Sequence, residues 1–216
     1  MKDDFVYFVK GQSMVVCELL TGIIIWRTKL GSTIKEPIVK HLKSVAYVFD
    51  DSNVKAIESN TGKTLWTLNV DERIIDLQIK KESNLIFVAT SFNILSVEGY
   101  TGKVLWENHF NRMISLCEVK ISDKIVTVHS RLPGTVYAFD YITGKLVWQI
   151  HEDENLELES LISEDSLFLK SPDKIVVFDL ISGNMKWYRR GPYRFAKYTI
   201  EWTHKRKNSH YISMIR

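Results

Sequence analysis

A nine-residue pattern recurs five times along this chain of 216 residues: an acid, two variable residues, Thr or Ser, Gly, three variable residues, and Trp. The copies run from Glu18 to Trp26, Glu58 to Trp66, Glu98 to Trp106, Asp140 to Trp148 and Asp179 to Trp187. Their glycines (Gly22, Gly62, Gly102, Gly144, Gly183) stand 40, 40, 42 and 39 residues apart. A repeat of this length restricts the chain to stacked supersecondary units, each of which buries its apolar face only against its neighbours.

Each column has a physical reading. Glycine supplies the positive φ that closes a short β-hairpin, often with a bulge beside it. The acid and the hydroxyl (Thr21, Thr61, Thr101, Thr143, Ser182) accept or bridge hydrogen bonds from the turn amides. Trp four residues after each glycine sets one large ring at the same height in every unit, so Trp26, Trp66, Trp106, Trp148 and Trp187 are expected to be buried alike. Five residues before each glycine stand Cys17, Ile57, Val97, Phe139 and Phe178, all apolar. Their neighbours Val16, Ala56, Ser96, Ala138 and Val177 are small or β-branched, which fits a strand covered on both faces. Between the Trp residues further strands are predicted at 37–42 and 44–49, 74–80 and 85–90, 113–120 and 124–129, and 158–162 and 165–170. Four strands per unit make a propeller blade.

The turn with its downstream Trp resembles the tryptophan-docking repeat of pyrroloquinoline-quinone (PQQ) propellers and their cofactor-free relatives, among them the outer-membrane assembly lipoprotein. The expected fold is therefore an all-β propeller of about five four-stranded blades in a single domain over 1–216. No Asp follows any of the five Trp residues, unlike the WD-repeat variety. The first strand, at 4–9, takes the second place of its blade and leaves the innermost place empty. A closing segment over 190–216, paired through 196–204 with the first blade, would fasten the ring. Staying open as an arc and completion by another chain are equally compatible with five repeats.

The resemblance implies a fold and not an activity, because this architecture hosts many functions. The quinoprotein enzymes hold their cofactor over adjacent cysteines with a calcium bound by Glu, Asn and Asp. Here the two cysteines, Cys17 and Cys117, are 100 positions apart and read as apolar core residues. No cofactor, no metal and no catalytic residue is expected. The histidines (His41, His109, His129, His151, His204, His210) have no paired metal spacing, and Gly62-Lys63-Thr64 lacks the first glycine of a phosphate loop and leads into a strand.

The N-terminus carries Asp3 and Asp4 where a secretory signal needs basic residues, and the apolar runs fall far short of a membrane span, so a cytoplasmic protein without membrane insertion is expected. Charge is uneven. Residues 186–216 hold nine basic residues against one acid, leaving twenty basic and twenty-five acidic before them. Within that stretch Arg189, Arg190, Arg194, Lys205, Arg206 and Lys207 alternate with aromatics, a composition suited to an acidic protein partner or single-stranded nucleic acid. The same stretch also reads as two solvated strands, 196–204 and 210–215.

The leading functional expectation is a non-catalytic scaffold that binds another protein, since variable loops on a rigid frame make a binding surface. A small-ligand or stress sensor is the second, and a degenerate enzyme domain the third. Residues 37–42 and 113–118, expected to line the centre, are mostly apolar and disfavour the sensor.

Overall fold

All five turn glycines adopt φ between +69° and +73°, and in each turn the glycine N–H donates to the carbonyl of the acid four residues earlier at 2.9 Å. The strand register shifts by one residue in the same place every time, beside Val16, Ala56, Ser96, Ala138 and Val177. That bulge swings the following strand so that Trp pairs with the small residue of its column rather than with the large apolar one beside it.

The computed structural model describes residues 5–30, 38–42, 44–131, 134–151, 160–170 and 174–191. These form nineteen strands in five antiparallel sheets, I to V in chain order. Sheet I contains β1 (Phe5–Lys10), β2 (Ser13–Glu18) and β3 (Ile24–Lys29). Sheet II contains β4 (Ile38–Leu42), β5 (Val45–Phe49), β6 (Asn53–Glu58) and β7 (Thr64–Asn69). Sheet III is β8 (Ile74–Lys80), β9 (Leu85–Thr90), β10 (Asn93–Glu98) and β11 (Val104–His109). Sheet IV is β12 (Cys117–Ile121), β13 (Ile125–Ser130), β14 (Thr135–Asp140) and β15 (Leu146–His151). Sheet V is β16 (Ser160–Ser163), β17 (Ser166–Lys170), β18 (Lys174–Asp179) and β19 (Met185–Arg190). Each is a meander in which neighbours in sequence are neighbours in the sheet, so every connection is short.

Sheet I has three strands among the described residues, and β1 and β2 take the places that β5 and β6 hold in sheet II. No described strand takes the innermost place of sheet I. The expected closing segment, apart from Arg190 and Gly191, lies outside the described residues, as do the strands expected at 196–204 and 210–215.

The strand expected at 113–120 is β12 and begins four residues later. The apolar run that suggested an earlier start does not join the ladder: Ile114 is fully buried and its N–H donates to the Ser91 carbonyl at 2.8 Å, while Met113 and Leu116 are exposed. Apolar side chains satisfied by a loop mimic a strand in sequence.

The core lies between sheets, not within any one of them. Met14, Val16, Trp26, Ala46, Val48 and Ile57 join sheets I and II, and comparable clusters join II to III, III to IV and IV to V. Strands β5, β9 and β13 are consequently buried at every residue, whereas β1 and β17 of the end sheets are half-open.

Several polar groups sit inside this packing, and His129 is the titratable one among those whose side chain finds no partner among the described residues. His129 of β13 is fully buried, neither ring nitrogen has a hydrogen-bond partner among the described residues, and it pairs in register with Val136, a core residue facing sheet V. Burial pushes its pKa down to about 4, with Glu118 opposing that shift and Lys120 adding to it. The folded chain thus holds the ring neutral, while the unfolded chain protonates it near the ordinary 6.5. Stability is therefore expected to fall as pH drops from about 6.5 towards 4, by roughly 3 kcal/mol at most. Urea titrations at stepped pH check this: the slope over that window should flatten in His129→Gln.

Candidate functional site

The repeat's tryptophan reaches across to the next sheet. Trp26 lies against Gly62 of sheet II, Trp66 against Gly102 of III, Trp106 against Gly144 of IV and Trp148 against Gly183 of V. In all four pairs a methyl group on the glycine would stand 2.5–2.6 Å from ring carbon atoms, a clash no relaxation of the backbone relieves cheaply. The indole N–H completes each contact. Trp26 donates to the Ser59 carbonyl (2.7 Å), Trp66 to Gly99 (2.9 Å), Trp106 to Tyr141 (3.1 Å) and Trp148 to Leu180 (3.0 Å). Glycine is thus required twice over at one position, for its φ and for the space it leaves.

Two residues after Trp, Thr28 donates to the Gly62 carbonyl, and Asn108 donates to the Gly144 carbonyl at 2.7 Å. The turn acids do the local work expected of them. Asp179 accepts from the Ser182 amide (2.8 Å) and hydroxyl (2.9 Å), which hold its carboxyl down to about 2. Asp140 accepts likewise from Thr143 and is lowered by the same bonds.

A second seam runs along the first strands of sheets II to V. Lys40 donates to Gln78 Oε1 (2.7 Å), the Asp76 carboxylate accepts from the Val119 amide (2.8 Å), and Glu118 accepts from the Ser160 hydroxyl (2.7 Å). Lys80, buried, donates to the Ser122 carbonyl at 2.9 Å and stands 5.1 Å from the centre of the Tyr141 ring. The innermost strands are therefore charged, contrary to the reading of 113–118 as their lining. The true strand begins at Cys117 and carries Glu118 and Lys120, which form an ion pair at 2.5 Å.

Of the residues singled out in the basic stretch, Arg189 and Arg190 lie on β19 and are exposed, whereas Arg194, Lys205, Arg206 and Lys207 lie outside the described residues. The Arg189 guanidinium is 5.7 Å from the centre of the Trp187 ring, a cation over an aromatic face. Lys186 is not available in the same way, being held by Asp165 (2.9 Å) and Asp179 (3.3 Å).

Trp187 corrects the expectation of five equally buried rings. It is 39% exposed, against 8% for Trp26 and 9% for Trp148, because no described sheet follows to receive it. At the opposite end nothing described lies within 4 Å of a methyl group placed on Gly22, and the flanking Leu19, Leu20 and Ile23 are exposed. The repeat columns alone did not reveal these two open surfaces. Ile23 gave the one local hint, standing where three of the other copies carry Lys63, Lys103 and Lys145.

The quinone site of the resembled dehydrogenases does not fit these residues. Cys17 and Cys117 stand on sheets I and IV, burial pushes the Cys117 thiol up, and among the described residues no three His, Cys, Asp or Glu side chains gather to hold a metal. Among them, too, no helix is long and apolar enough to cross a membrane.

The family model described as outer membrane protein assembly factor BamB matches residues 50–193, more than half of the chain. Among solved structures, BamB from Moraxella catarrhalis is similar over 86% of this chain and 58% of its own, with 16% identity and a TM-score of 0.64. The computationally designed protein Ika8 aligns over 88% of this chain and 60% of its own, with 18% identity and a TM-score of 0.70. A europium-containing methanol dehydrogenase aligns over 87% and 49%, with 12% identity and a TM-score of 0.67. The chain thus spans three-fifths or less of the length of these structures. No curated protein sequence matches it.

Trp148→Ala is expected to cost about 3–5 kcal/mol, the usual loss for a buried aromatic ring, and Trp187→Ala below about 1 kcal/mol, as for an exposed side chain. Chemical denaturation of the two variants measures the difference.

Proposed function

The chain belongs to the BamB family of PQQ-like β-propeller repeats, and we propose that it is a non-catalytic scaffold that binds another protein through the exposed outer strand of its last sheet. The observation that carries this reading is the exposure of β19 at all six residues, with Trp187, Tyr188, Arg189 and Arg190 in sequence. Aromatic residues and arginine are the types that dominate binding energy at protein interfaces, and the pair of arginines favours a partner with an acidic rim. The other recurrent features are already engaged: four of the five tryptophans hold sheets together, and Asp140 and Asp179 hold their own turns.

The test is quantitative affinity enrichment from native lysate with the wild-type chain and with Arg189→Glu/Arg190→Glu. Proteins retained by the wild type should be lost from the charge-reversed chain while both melt alike. Equal retention by both would contradict the assignment of β19.

A second reading, a small-ligand sensor, draws support from the charged inner seam of Lys40, Asp76, Gln78, Glu118 and Lys120. Lys40, Asp76 and Glu118 already bond to the neighbouring sheet, which favours a structural role. Under the scaffold reading no metabolite in a thermal-shift panel of nucleotides, sugar phosphates and polyamines raises the melting temperature; a saturable rise abolished by Asp76→Asn would favour the sensor.

A further inference from the structure

Among the described residues the docking pair is made four times, and the two halves of a fifth, Trp187 and Gly22, are each without their counterpart. At one end the Trp187 indole N–H has no acceptor among the described residues, whereas its four counterparts all donate to the sheet that follows. At the other, Gly22 keeps the left-handed φ of its counterparts but has no ring against it among the described residues. The surface around it is unfinished in the same sense. In sheet II, Ala46, Val48 and Ile57 receive Trp26 and are buried; Val6, Phe8 and Cys17 hold the same register in sheet I, and Phe8 is 52% exposed. Leu19, in the place whose carbonyl accepts from Trp, is 53% exposed, against 4% for Ser59 and 1% for Leu180.

We infer that sheet V of one copy of the chain docks on sheet I of a second copy, with Trp187 over Gly22 and its indole N–H on the Leu19 carbonyl. The occupant follows from continuity with the interface already formed: each end lacks what the other carries, so a second copy supplies both the ring and the turn. Arg189 stands two residues after Trp187, where Thr28 and Asn108 donate to the glycine carbonyl of the following sheet. It thus brings a donor for the Gly22 carbonyl and sets a cation beside a turn that carries Glu18. The two surfaces differ, so the contact is head-to-tail, and each added copy leaves one free surface of each kind. It goes beyond the scaffold reading but draws on the same Trp187 and Arg189 surface, so a second copy and a different protein would compete for it, and it is tested with this chain alone.

Sedimentation velocity of the full chain over a concentration series reads the association directly. The wild type is expected to grow in mass with concentration, past the dimer. Trp187→Ala and Gly22→Asn should each stay monomeric; asparagine tolerates the left-handed φ but fills the space the ring needs. Mixed in equal amounts, these two variants should form a dimer that grows no further, because the first retains an intact Gly22 surface and the second an intact Trp187 surface. Matching melts for both variants establish that they fold. A wild type monomeric throughout, variants that associate as the wild type does, or folded variants that fail to pair in the mixture would each overturn the inference.

Discussion

A tryptophan ring laid on the turn glycine of the next sheet is the contact on which the rest of this structure depends. No sheet here has enough apolar area on one face to stand alone, and strands β5, β9 and β13 of the interior meanders are covered only because a neighbour is held at the right distance. The ring sets that distance. Its large apolar face fills the space above the glycine, and its one polar atom meets a carbonyl three residues before that glycine, so shape and hydrogen bonding fix the same geometry. The bulge beside each turn is part of the device, because without the extra residue Trp would pair out of step with the small side chain that admits it.

The inner seam complements the outer one. Near the first strands the sheets are joined by charged and amide groups whose hydrogen bonds cross from one sheet to the next, as with Asp76 and the Val119 amide. An apolar contact at the rim and a directional one at the centre together resist both separation and sliding. The packing also leaves some buried polar groups without a partner among the described residues, the His129 ring and the Ser96 and Thr127 hydroxyls among them. Interior and end sheets therefore differ in character although their sequences follow one pattern.

Most of the fold was legible because the repeat encodes local chemistry. A Thr-Gly pair four residues before Trp specifies turn, bulge and ring from neighbouring residues alone, and these features stand where the columns put them. What lay beyond the sequence depended on a neighbour. Trp187 is indistinguishable from Trp148 as a residue in a column, and only the absence of a described sheet beyond β19 exposes it. The charged centre was missed because Met113 to Leu116 has the composition of a strand but lies in a loop, which displaced the expected inner strand from Glu118 and Lys120. Of the basic stretch, Arg189 and Arg190 lie on the exposed β19, and their association with an open docking ring was not foreseen.

The central claim is that the tryptophans hold the sheets together through their indole N–H and ring contacts, and hydrogen exchange at those indole protons measures it most directly. In dilute solution the four protons of Trp26, Trp66, Trp106 and Trp148, assigned by single Trp→Phe replacements, should exchange only through global or near-global opening, with that of Trp187 exchanging far faster. Four indole protons that exchange as quickly as that of Trp187 under native conditions would contradict it.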